Sequence, residues 1–77
     1  MTPAEFERAA ARRTIIATAI AWGMNPAVHG RARDPRLMRL LSDAGRYGLP
    51  ALVRGDSETT WALRVSLALR REREVSR

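Results

Sequence analysis

The stretch Thr2–Trp22, TPAEFERAAARRTIIATAIAW, decides the fold class of this 77-residue chain. It opens with Thr2 and Pro3, and Glu5 follows three residues after the threonine. The threonine hydroxyl can accept from the backbone N–H of residue 5, and the glutamate can return the bond to the threonine N–H. Proline is suited to the first helical position because its missing donor would have no partner there. This is the signature of a helix start, and Gly23 with Asn25-Pro26 marks the stop. A helix to about Trp22 is therefore expected.

That helix is apolar on more than one side. Phe6, Ala9, Ala10, Ile16, Ala17 and Ile20 recur at helical spacing and are expected to form its core face. Arg8 and Arg12 lead into Ile15, Ala19 and Trp22 on another stripe. A helix that is apolar almost all round is buried on both sides or meets a partner. Ile15, Ala19 and Trp22 are accordingly expected at a protein interface.

The cap-plus-proline signal recurs at Asp34-Pro35 and starts a second helix, expected to end near Arg46–Gly48 with Leu37, Leu40, Leu41 and Ala44 inward. Pro50 suggests a short helical turn over Leu49–Gly55. Asp56 or Ser57 is expected to cap a final helix running to about Glu74. Its main stripe is Trp61, Val65, Ala68 and Leu69, while Leu63 and Leu67 lie almost opposite and form a second candidate interface. No internal repeat and no sustained strand-like alternation interrupts this pattern. The expectation is a single all-α domain over 1–77: a small three- to four-helix unit with a long N-terminal helix, a central helix, a short helical turn and a C-terminal helix.

A chain this short has a thin core, because it buries only roughly 60% of the surface its unfolded form exposes. Its large apolar residues number eight Leu, four Val, three Ile, two Trp and one Phe. There is no cysteine for a disulfide. Small scaffolds in this position gain stability from well-packed helices or from oligomerisation. The apolar run within Ala11–Trp22 follows a long leading region that carries Glu5 and Glu7, unlike a secretory signal. It also falls short of the roughly 20 apolar residues a membrane span requires. A cytoplasmic protein without membrane association is expected.

Catalysis is disfavoured by elimination. Cysteine and lysine are absent, and the one imidazole, His29, lies in a Pro/Gly-containing loop. Glu5 and Glu7 suit the positive end of the first helix, and Glu72 and Glu74 lie among arginines as ion-pair partners. There is neither a glycine-rich phosphate loop nor a zinc motif. No cofactor and no metal are expected.

The formal net charge is +6, and all 14 basic residues are arginine. The charge is concentrated in residues 31–54, where Arg31, Arg33, Arg36, Arg39, Arg46 and Arg54 face only Asp34 and Asp43. Arg36, Arg39 and Arg46 fall opposite the leucine stripe of the second helix, with Arg31 and Arg33 before its start and Tyr47 near its end as a stacking side chain. Guanidinium forks suit phosphate, and a basic ridge of this kind gains affinity from counterion release. Arg31, Arg33, Arg36, Arg39, Arg46 and Tyr47, with Arg8 and Arg12 contributing, are the expected nucleic-acid contacts, to DNA or RNA. The alternative is an adaptor or inhibitor that uses Ile15, Ala19, Trp22, Leu63 and Leu67 with arginines on an acidic protein partner. A homo-oligomer is a further expectation from the same doubled stripes.

Leu40-Leu41-Ser42-Asp43-Ala44-Gly45, then Ala51 and Gly55, then Ser57-Glu58-Thr59-Thr60, superficially resembles a repressor-type helix-turn-helix. That family has an Ala and a Gly four residues apart, then a Ser/Thr-rich recognition helix. The resemblance would place Ala51 in the first helix of the pair and Gly55 in the turn. Pro50, Arg54, Asp56 and Arg64 depart from it, because they occupy positions that are apolar in the family.

Overall fold

The computed structural model describes residues 2–24 and 34–75. They form three helices: α1 (Pro3–Met24), α2 (Pro35–Ser42) and α3 (Glu58–Val75), with a 3-10 turn over Ala44–Tyr47 directly after α2. Among the described residues there is no strand. The domain is all-α.

The helix starts form as the sequence implies. The Glu5 N–H donates to Thr2 Oγ1 at 3.2 Å, and the Thr2 N–H donates to the Glu5 carboxylate at 3.4 Å. Asp34 caps α2 by accepting from the Arg36 N–H at 3.0 Å. Of the two candidates for α3, Ser57 is the residue that accepts from the Thr60 N–H, at 3.1 Å. A side-chain acceptor at this position satisfies one of the amide donors that a helix start leaves without an internal partner.

Between α2 and α3 the structure differs from expectation. Residues 50–57 are not helical, so the short turn expected over Leu49–Gly55 does not form. The extra helical turn lies instead at Ala44–Tyr47, ending on Gly48 with φ +76°. Only glycine adopts that conformation at little cost. The non-helical segment is fixed by its backbone: the Leu52 N–H donates to the Leu41 carbonyl at 2.9 Å, and the Trp61 indole N–H donates to the Pro50 carbonyl at 2.8 Å. Ala51 and Gly55 therefore lie in extended chain and not at the end of a helix, and no helix-turn-helix is present.

α1 and α3 run antiparallel as a hairpin and make the most extensive packing in the molecule. The direction follows from Arg12 meeting Glu72 at one end and Gly23 meeting Ala62 at the other. The core is formed by Ile15, Ala19 and Trp22 of α1, Trp61, Ala62 and Val65 of α3, and Leu41, Ala44 and Leu49 of the α2 layer. Trp22 and Trp61 meet edge to face, ring centroids 5.6 Å apart. An aromatic pair in this geometry contributes about 0.5–1.5 kcal/mol beyond the area it buries. Leu37, Leu40 and Leu69 pack around this centre, as their stripes imply.

The core face of α1 is the reverse of the one expected. Ile15, Ala19 and Trp22, assigned to an interface, are buried within the chain's own core. Phe6 and Ile20, assigned to the core, are 60% and 55% exposed. Ala17 is also exposed, and of that stripe Ile16 packs against the core edge. The reason is that Trp22 finds Trp61 and the α2 layer on its side of the helix, whereas no described element covers the other side.

Candidate binding surface

The α2 layer lies across one side of the hairpin. Its inward leucines fix the direction of its outward face. With Leu41 and Ala44 buried and Leu37 and Leu40 half-buried, Arg36, Arg39 and Arg46 are left exposed. No acid among the described residues forms an ion pair with any of these three; the pairs are Arg12 with Glu72 and Arg64 with Asp56. Asp34, the acid nearest Arg36 in sequence, spends its carboxylate on the helix cap.

Arg8 and Arg12 have a different position. Both project from α1 onto the end of the 3-10 turn, where carbonyl oxygens lack helical donors. Arg8 Nη1 donates to the Arg46 carbonyl at 2.7 Å, and Arg12 Nη1 donates to the Tyr47 carbonyl. Arg12 Nη2 also donates to both carboxylate oxygens of Glu72, at 2.9 and 3.1 Å. A Cβ built on Gly48 would lie 3.3 Å from the Arg12 guanidinium and 3.9 Å from that of Arg8, so both head groups sit over this glycine. The two arginines thus clamp the α2 layer to α1. Arg12, bound on two sides, is a structural residue. Arg8 remains exposed and brings its charge beside Arg46.

Tyr47 is half-buried and packs against the core, so its ring is not a free stacking platform. Arg31, Arg33 and His29 lie outside the described residues. The structure therefore brings Arg36, Arg39, Arg46 and Arg8 to the surface around the α2 layer and withdraws Arg12 and Tyr47 from it. The clamp had a signal in the sequence: Arg8 and Arg12 precede Ile15, Ala19 and Trp22 at intervals of four, three, four and three. Arginines that share a stripe with the core are placed to bind the chain itself.

The second exposed surface is apolar. Leu63 and Leu67 of α3 are 60% and 45% exposed, and with Ile20 they flank an open groove of about 390 Å³ between α1 and α3. Among the described residues no three His, Cys, Asp or Glu side chains gather as a metal site, and no helix is long and apolar enough to cross a membrane. Comparison with known proteins adds no identification: no family model, no curated protein and no solved structure matches the chain.

Proposed function

We propose that this protein is a non-enzymatic binding module that holds a nucleic-acid backbone through the outward face of its α2 layer, as an accessory factor or small subunit of a nucleoprotein complex. The observation that carries this reading is the set of exposed guanidinium groups on Arg36, Arg39 and Arg46, without carboxylate partners among the described residues. Arg8 adds a fourth positive charge beside Arg46. Arginine offers planar paired donors that match phosphate oxygens, and its weak hydration lowers the cost of the contact. Such contacts position a duplex or strand without reading its sequence. A rigid helix also presents them at fixed spacing, so less side-chain and loop ordering opposes binding.

The adaptor reading loses part of its proposed surface, since Ile15, Ala19 and Trp22 are covered by the chain itself. The backbone-binding reading keeps its central residues.

The test is a fluorescence-anisotropy titration against random single-stranded RNA and double-stranded DNA across a salt series. Affinity falls with salt by about 0.9 log unit per log unit of salt for each phosphate neutralised on duplex DNA, and about 0.7 on a single strand. Arg36→Glu combined with Arg39→Glu should reduce that slope by about two contacts' worth and weaken binding at least tenfold. Absence of binding at low salt, or unchanged binding by the double variant, contradicts the proposal.

A further inference from the structure

The side of the α1–α3 hairpin away from α2 carries a continuous apolar seam. Along α1, Phe6, Ala9, Arg13, Ile16, Ile20 and Gly23 follow one another at intervals of three and four. Along α3, Leu63, Leu67, Arg70 and Glu74 do the same. This is the spacing by which helices meet along a shared seam in coiled coils and four-helix bundles. The groove between the two helices is floored by the small residues Gly23, Ala62 and Ser66. The Ser66 hydroxyl donates to the Ala62 carbonyl at 3.1 Å, so it is satisfied within its own helix. The floor can therefore be covered by apolar atoms without leaving that donor unmatched.

We infer that a second copy of this chain covers the seam, two hairpins packing face to face as a four-helix bundle. Area and placement of charge both support this occupant. An 18-residue α3 is about 27 Å long, and two adjacent helices are about 20 Å wide. The face thus offers about 500 Å² per copy, and two copies together reach the about 1,000 Å² that a specific interface requires. A two-fold axis near Ile20, Leu63 and Leu67 brings each apolar half onto its equivalent, as an isologous contact demands. Arg13, Arg70 and Glu74, further along the seam toward the other end of the hairpin, then fall at the rim. Long side chains at a rim keep their head groups in water while their stems cover apolar surface. The chain's thin core, with three alanines among its nine buried residues, gains from the added burial. The dimer also presents two α2 layers on its two outer sides.

Sedimentation equilibrium on the protein alone, without nucleic acid, tests this separately from the proposed activity. From low micromolar to several hundred micromolar the mass should rise from 8.6 kDa toward twice that value. Added salt should strengthen association by screening the like charges of the two copies, the reverse of its effect on phosphate binding. Ile20→Glu combined with Leu63→Glu should raise the dimer dissociation constant at least tenfold with unchanged helical circular dichroism. A wild-type protein that stays at 8.6 kDa over the whole range overturns the inference, whatever the variant does. A folded variant that dimerises as well as the wild type overturns it too.

Discussion

The two sides of the α1–α3 hairpin are built from similar residues and have opposite fates. On the covered side, Ile15 and Trp22 of α1 meet Trp61 and Val65 of α3 beneath the α2 layer, and none is more than 2% exposed. On the other side, Phe6 and Ile20 face Leu63 and Leu67 across a groove, all at least 45% exposed. The bulk of apolar side chain on α1 is comparable, so hydrophobicity by itself does not choose between the sides. The choice comes from what each side can meet. Only the covered side has a partner within the chain, and only there do Arg8 and Arg12 reach carbonyl groups that need donors.

The largest effect that sharpens this contrast comes from the tryptophans. Trp22→Ala should cost about 3–5 kcal/mol, the range for truncating a buried aromatic residue. That is a large part of the stability of a small domain, so urea unfolding followed by circular dichroism should show a much earlier midpoint or no folded baseline. If Trp22→Ala unfolds like the wild type, the covered side has been misassigned.

The clamp comes next. Arg12→Ala removes a charged donor from the Tyr47 carbonyl and the partner of Glu72, and should cost about 1–3 kcal/mol. Glu72→Gln removes only the more exposed half of the ion pair, 47% exposed against 23% for Arg12, and should cost at most about 1 kcal/mol. Equal losses from the two substitutions would mean that Arg12 acts only through the salt bridge. The smallest effect is on the bare side. Phe6→Ala or Ile20→Ala should change the unfolding free energy by no more than about 0.5 kcal/mol when measured at a dilution where the chain is monomeric.

Much of the fold could be read from the sequence, because its signals are local. Thr2-Pro3 with Glu5, Asp34-Pro35 and Ser57 each start a helix through a short-range hydrogen bond. In α2 one face is leucine and the other arginine, so only one orientation buries apolar surface. The same reasoning separates Trp61 and Val65 from Leu63 and Leu67 in α3. It fails on α1, where apolar residues surround the helix and the inward stripe depends on Trp61, a residue distant in sequence. It also fails at Pro50, which suits a helix start but here supplies the carbonyl that receives the Trp61 indole.

The surface residues divide in the same way. The exposure of Arg36 and Arg39 follows from the leucine stripe behind them. The role of Arg12 does not follow from net charge, because the carbonyl it satisfies is created only when the 3-10 turn docks on α1. The stripe shared with Ile15 and Ala19 was the clue, and its meaning depended on which face of α1 turned inward.

Quenching of tryptophan emission tests the two-sided hairpin most directly, made on the dilute monomer so that a second copy cannot shield the bare side. With Trp22 and Trp61 both buried against each other, emission should be blue-shifted and form one population shielded from iodide until the protein unfolds. A red-shifted component approaching half the emission and quenched freely in the folded protein would place Trp22 in solvent, and would mean that α1 turns its Phe6–Ile20 stripe inward instead.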